Sequence, residues 1–416
     1  MLSFKWVRGF FGRFGLKYVI LVPDGAADRP VKELNGKTPL QVAKIPNMNF
    51  IAREGIVGTV KTVPQGTIPG SDVANLTILG YNPLEYFTGR GPLEAASRGI
   101  SLNPDEFAFR CNLISVEQGI LKDYSAGHIS SEEGRSIIEA LNQKFGTSNV
   151  RFLAGVSYRH LMIIKGDFSK ILCVPPHNVV NQPIRDNLPQ GEDAGLIRDF
   201  VVSSQEFLEN HPVNLRRKER GKNPANMIWL WGQGKAPTFP TVKEKYGLDG
   251  AIISAVDLIK GIGYFAGLEP LEVPGATGYF DTNYEQKAEY ALRALEKKDL
   301  VFVHVEASDE AGHQGSTKDK IRALENFDRL VKIILEGLKK YPNYRVLLVP
   351  DHATPLELRI HTDEPVPFAL YSSNDSGDGA ESFNELSALK GSHHFEEGYE
   401  LMTFFVGGVR KEFSHK

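Results

Sequence analysis

Cysteine is nearly absent from this chain: the 416 residues hold two, Cys111 and Cys173, far apart and outside any zinc-ribbon or disulfide spacing. That scarcity argues against a disulfide-stapled secreted scaffold and fits the reducing cytoplasm. Charge of one sign is also lacking. A net charge of −3, with no long basic stripe interleaved with aromatics, disfavours nucleic acid as a partner. No internal repeat occurs. The N-terminal stretch MLSFKWVRGFFGRFGLKY is basic and aromatic, but no continuous apolar run follows it and no small-residue cleavage site appears. It is therefore a poor signal peptide, and residues 1–16 read as an N-terminal extension with membrane contact disfavoured.

What is present is a set of apolar, β-branched runs that each end in an acid. VFVHVEASDEAGH at 301–313 reads as a buried strand opening into Asp309 and His313. RVLLVPDHATP repeats the design with Asp351 and His352, and His361 follows in the next loop. LKYVILVPDGAADRP does the same with Asp24, at the C-terminal end of a strand, where open α/β sheets place ligands. In TVPQGTIPGSDVANLTILG, Pro and Gly precede Ser71, and a helix-like run follows it. A serine at a helix start commonly serves as an N-cap. The same position also points backbone donors at a phosphate held there.

A chain of this length exceeds one ordinary core, so two domains are expected. Helices and buried strands alternate over 17–109 and again over 223–416, which predicts a doubly wound α/β core. Between them, 110–222 mixes short alternating runs with polar helices and reads as a smaller inserted α+β domain.

Asp309 and His313 are four residues apart, a spacing that a helical turn brings to one side of the backbone. With Asp24, Asp351, His352 and His361 they form an oxygen and nitrogen donor set without thiolate. Such a set suits manganese or zinc better than iron–sulfur chemistry, and better than magnesium alone.

Taken together, Asp24 in VPDG, Ser71 in PGSD, Asp309 and His313 in ASDEAGH, Asp351 and His352 in PDHATP, and His361 in HTDEPVP resemble the ligand and nucleophile pattern of the alkaline phosphatase superfamily. More narrowly, the chain resembles the archaeal-type cofactor-independent phosphoglycerate mutases, through TGRGPLEAASRGI, SAGHISS, VSYRHL, WLWGQGKAP and GATGYFDTNY as well. The likeness runs from about Lys17 to beyond 400. It implies an alkaline-phosphatase-like core with an inserted lid. It also implies two divalent ions, manganese first, with zinc, cobalt or magnesium as alternatives. One ion would be held by Asp24, Ser71, Asp351 and His352, the other by Asp309, His313 and His361. Ser71 would be the catalytic nucleophile in interconverting 3-phosphoglycerate and 2-phosphoglycerate without 2,3-bisphosphoglycerate. The alternatives are a homoserine kinase-like phosphotransferase and a metal-dependent phosphatase. In the insertion and at its border, His128, Arg159, His160, His177, Arg185 and Lys235 are the expected holders of carboxylate and phosphate.

Overall fold

The computed structural model describes residues 15–407 apart from 376, 378 and 379, so the 1–16 extension lies almost wholly outside the described residues. In chain order the strands are β1 (Leu16–Pro23), β2 (Ile56–Val60), β3 (Glu106–Glu117), β4 (Ile120–Asp123), β5 (Val150–Val156), β6 (Arg159–Lys165) and β7 (Met227–Gly234). They continue with β8 (Gly250–Ile253), β9 (Glu269–Pro270), β10 (Leu300–Val305), β11 (Asn343–Leu348), β12 (Val366–Ser372) and β13 (His393–Phe395). The described residues divide into two compact units, one running to residue 85 and resuming at 240, the other of 86–239.

The first unit is built on an eight-stranded sheet ordered β13-β2-β12-β11-β1-β10-β8-β9. Its neighbours are parallel except at β12, which runs antiparallel to both β11 and β2. The central strands are continuous apolar runs because both faces are covered. Val19, Leu21, Val301, Val303, Val346 and Leu348 face a core shared with Met48, Ala288, Phe327 and Ile334 from the helices Pro46–Glu54, Tyr284–Ala294 and Thr317–Leu338. The alternate residues face the other way. There Tyr18 meets Phe405 of the helix Glu400–Gly407 edge to face at 5.4 Å, and Arg345 donates to the carbonyls of Phe405 and Val406 at 3.0 and 2.7 Å. This is the doubly wound α/β arrangement that the alternating pattern predicts.

The second unit is α+β. The long strand β3 pairs antiparallel with β6, β7 and β4, and β5 extends the sheet beyond β6. Its odd residues Phe107, Phe109, Cys111 and Leu113 pack with Ile137 and Leu141 of the helix Ser131–Phe145 and Ile197 and Val201 of the helix Ala194–Glu209.

The unit boundaries differ from those read off the sequence. Residues 86–109 and 223–239 belong with the insertion, for two long-range reasons. The helix Arg90–Ser97 sets Ala95 against Ala108, Leu161 and Ile163, and β7 pairs with β3 so that Leu230 lies opposite Cys111. Among the described residues no helix is long and apolar enough to cross a membrane.

Candidate active site

Strands β11, β1 and β10 lie side by side and parallel, with Leu21 opposite Leu348 and Pro23 opposite Val305. The segments that follow them therefore leave the sheet at one edge. Asp24 comes directly after β1, Asp351 and His352 shortly after β11, and Asp309 lies in the helix Ala307–Gln314 that follows β10. Gly25 makes the first turn feasible. Its φ is +60°, and a Cβ there would stand 2.6 Å from Asp309 Oδ1.

Ser71 is the first residue of the helix Ser71–Ile78, whose N-cap is Gly70 and which has no side-chain cap. The hydroxyl is thus not spent on capping, and its Oγ lies 3.0 Å from His352 Nε2. One turn on, Asn75 Nδ2 donates to Ser71 O at 2.8 Å and to Asp351 Oδ2 at 2.8 Å, tying the serine to the β11 loop.

Hydrogen-bond partners settle which imidazole nitrogens face inward. His313 Nδ1 lies 2.9 Å from the Arg359 carbonyl, which can only accept, so Nδ1 carries the proton. His313 Nε2 then meets His361 Nε2 at 2.9 Å and Asp309 Oδ2 at 3.2 Å, and His361 Nε2 lies 3.3 Å from Asp309 Oδ1. Thr354 gives its hydroxyl proton to Asp309 and so accepts from His352 Nδ1 at 3.2 Å. His352 Nε2 is left facing Ser71 and, at 3.4 Å, Asp24 Oδ1.

The electrostatics ask for positive charge here. Burial, then the Asp351 and Asp309 carboxylates, push Asp24 well above the usual carboxylate range. Burial also works against ionised Asp309, but hydrogen bonds from His313 and His361 hold its carboxyl well below that range. At His313, Asp309 overcomes burial and pushes the ring up to about 9. At His352 burial wins over Asp351 and pushes the ring down to about 4. Asp24 Oδ1 is enclosed without a hydrogen bond, as is the Nε2 of His304 nearby. Converging carboxylates, inward Nε2 atoms and orphaned buried acceptors fit divalent cations, whose ligand nitrogens typically lie about 3 Å apart around one ion. Among the described residues three groups bring their candidate ligand atoms within 4.8 Å of one another: Asp309 with His313 and His361, Asp24 with Asp309 and His352, and Asp24 with His304 and Asp351.

Asp24, Ser71, Asp309, His313, Asp351, His352 and His361 are therefore gathered at one sheet edge. Sequence reasoning passed over His304, Glu306, Thr354, Asn75 and the buried lysines Lys287 and Lys320. A polar residue inside an apolar strand, like His304 in VFVHV, carries the only sequence signal among them.

The expected substrate holders fare differently. His128 and Arg159 border Tyr158, at 6.2 and 5.8 Å, and His177 borders Trp231 at 5.6 Å. Tyr124 joins these groups, lying 5.8 Å from Tyr158 and 6.2 Å from His177. Two arginines not singled out beforehand complete the cluster: Arg110 stacks 4.1 Å over Trp231 while pairing with Glu94 at 2.9 Å, and Arg90 lies 5.8 Å over the same ring. His160 is not among them. It is 1% exposed, and its Nδ1 accepts from Gly155 N at 2.9 Å. Burial, reinforced by the Arg98 charge, pushes it down to about 3, so the ring is neutral and cannot serve as a surface cation. Arg185 points outward beside Asp186 at 3.4 Å. Lys235 lies over Phe107 at 5.2 Å.

Comparison with known proteins shows the family. Residues 52–214 match the model of the 2,3-bisphosphoglycerate-independent phosphoglycerate mutases. Residues 181–400 match that of the type I phosphodiesterases and nucleotide pyrophosphatases. The chain is 51% identical over 395 residues to a 2,3-bisphosphoglycerate-independent phosphoglycerate mutase of Methanosarcina barkeri, covering 94% of this chain and 99% of that one. It is 50% identical over 397 residues to a probable enzyme of the same name from Geobacter sulfurreducens, covering 94% and 100%. Among solved structures, the PH0037 protein of Pyrococcus horikoshii superposes with a TM-score of 0.80 at 30% identity, covering 95% and 99%. The cofactor-independent phosphoglycerate mutase of Thermoplasma acidophilum superposes at 0.65 and 25%, covering 94% and 99%. This chain belongs to the 2,3-bisphosphoglycerate-independent phosphoglycerate mutase family.

Proposed function

We propose that the protein interconverts 3-phosphoglycerate and 2-phosphoglycerate through a phosphoserine at Ser71, as a cytoplasmic isomerase that needs no 2,3-bisphosphoglycerate. The observation that carries this reading is Ser71 Oγ, uncommitted to helix capping and 3.0 Å from His352 Nε2 at the edge of the carboxylate cluster. Two divalent ions, manganese first, held by Asp24, Ser71, Asp351 and His352 and by Asp309, His313 and His361, would supply the positive charge that favours an alkoxide and a phosphoryl group in flight.

The chain's own residues do the rest. Ser71 Oγ attacks phosphorus, an Oγ–P bond forms, and the bond from phosphorus to the glycerate oxygen breaks. The freed glycerate then attacks the phosphoserine through its other hydroxyl and the Oγ–P bond breaks; in each transfer the proton of the attacking hydroxyl ends on the departing oxygen, so Ser71 is regenerated, the phosphoryl group returns to the same molecule and no net hydrolysis occurs. Asn75 holds the serine backbone against Asp351 throughout. The positive and aromatic cluster of the second unit, Arg90, Arg110, Arg159, His128 and His177 around Tyr158 and Trp231, is suited to hold a small acid while it turns.

The test is turnover of 3-phosphoglycerate by the manganese-loaded protein, followed through a coupled enolase, with Ser71→Ala beside it. Turnover by the wild type and none by the variant is expected, with the Asp309–His313–His361 ion retained. Ordinary turnover by Ser71→Ala would overturn the phosphoserine route. Phosphorylation of homoserine in place of mutase activity would move the protein to the phosphotransferase reading.

A further inference from the structure

His304 sits inside β10, fully buried, with Nε2 3.3 Å from Asp24 Oδ2 and 3.6 Å from Asp351 Oδ2. Its other nitrogen faces Glu306 Oε1 at 3.3 Å and Ser254 Oγ at 3.4 Å. Glu306 is itself fully engaged. It accepts from Lys287 Nζ at 3.0 Å, from Ser254 Oγ at 2.9 Å and from Ala255 N at 2.9 Å. Lys287 is anchored in turn on the His304 carbonyl at 3.0 Å. An ionised carboxylate held this way can only accept, so His304 donates from Nδ1, and Nε2 is the nitrogen turned towards Asp24 and Asp351.

His313 and His352 show the same design. Each has Nδ1 committed to an oxygen and Nε2 turned inward to carboxylates. A carboxylate or carbonyl behind an imidazole fixes the tautomer and orients the metal-facing nitrogen. At His304, however, Nε2 has no hydrogen-bond partner although it is fully enclosed. A buried ring nitrogen left without a hydrogen bond is costly, and a cation set between it and the two carboxylates would supply the missing partner.

We infer that His304 Nε2 is a direct ligand of the ion held by Asp24 and Asp351, oriented by Glu306 and Lys287. This adds a buried nitrogen donor to the four residues proposed for that ion, and it rests on the metal-centre part of that proposal. The site would take a borderline divalent cation that accepts mixed nitrogen and oxygen donors, which a purely oxygen-preferring cation does not favour.

The test counts nitrogens without using turnover, so it is separable from the mutase reading. The full wild-type chain, labelled with 15N-histidine and loaded with two equivalents of 113Cd, is examined for 15N–113Cd scalar coupling. Four coupled imidazole nitrogens are expected, two on each ion, from His304 with His352 and from His313 with His361. Three couplings, with the remaining Nε2 bearing a proton, would overturn the inference. A second measurement titrates Co2+ into the metal-free full chain and into His304→Ala. One of the two binding steps should weaken about 10–100-fold or more while the other is unchanged. Two unchanged steps in a folded variant would also overturn it, and if the variant fails to fold the wild-type couplings decide.

Discussion

Replacing Lys320 with methionine removes a cation that ties the loops after β1 and β11 to the same helix. Lys320 is fully buried on the helix Thr317–Leu338. Its Nζ donates to Asp28 Oδ2 at 2.7 Å, to the Thr354 carbonyl at 2.9 Å and to the Ala27 carbonyl at 3.3 Å. The first and third contacts fix the loop after β1 that carries Asp24; the second fixes the loop after β11 that carries Asp351 and His352. Methionine fills a similar volume, so the cost is electrostatic: Asp28 becomes a buried, unpaired carboxylate. Removing one partner of such a pair costs about 3–5 kcal/mol. At about 2–3 °C per kcal/mol for a unit of this size, the first unit should melt about 6–15 °C earlier. Adding Asp28→Asn removes the stranded charge while keeping an acceptor oxygen for the Arg29 and Leu356 amides that the carboxylate now serves, so the double variant should recover about half of the loss. The assay is urea and thermal unfolding of wild type, both single variants and the double, closed as a cycle. A Lys320→Met loss below about 1 kcal/mol, or a double variant less stable than Lys320→Met, would refute the reasoning.

Other perturbations give distinct readings. Gly25→Ala forces a Cβ to 2.6 Å from Asp309 Oδ1 at a φ of +60°; since misplacement by about 1 Å can cost about 100-fold, coupled-enolase turnover should fall by about that much with little change in second-unit stability. His361→Ala removes one of the nitrogens facing Asp309, and metal analysis after dialysis should show at least one ion held about tenfold more weakly. His160 is pushed down to about 3 by burial and the Arg98 charge, below its ordinary 6.5. Its neutral form therefore contributes stability in full above pH 6.5, and this is lost as pH falls from 6.5 towards 3, at up to about 1.4 kcal/mol per pH unit. Unfolding of the second unit followed by Trp229 and Trp231 fluorescence should show a shallower acid slope in His160→Gln, and identical slopes would refute the assignment.

The chemistry-bearing strand ends were legible because their signal is local. An apolar, β-branched run that stops at an acid reads as a buried strand delivering that acid, as in LKYVILVPD and RVLLVPD. The spacing of Asp309 and His313 likewise anticipated a helix, and Ala307–Gln314 is one. Position alone made Ser71 an ordinary candidate for an N-cap. Only the backbone around Gly70 shows that the cap lies one residue earlier and leaves the hydroxyl to face His352. The substrate residues were the least legible. His160 looked equal to Arg159 in VSYRHL, yet strand alternation turns one to the interior and leaves the other exposed.

The sequence by itself determined the α/β core, the smaller α+β unit, the family resemblance and the acids and histidines at the strand ends, because each rests on residue type and short-range period. The tertiary structure decided where the units divide, since helix Arg90–Ser97 and β7 join the insertion only by packing and pairing against β3. It also placed His304 beside Asp24 and Asp351. A histidine in the middle of an apolar strand is read as core until Asp24 from β1, Asp351 from the β11 loop and Glu306 from its own strand's end are brought around its two nitrogens, and proximity across that many residues is a property of the sheet.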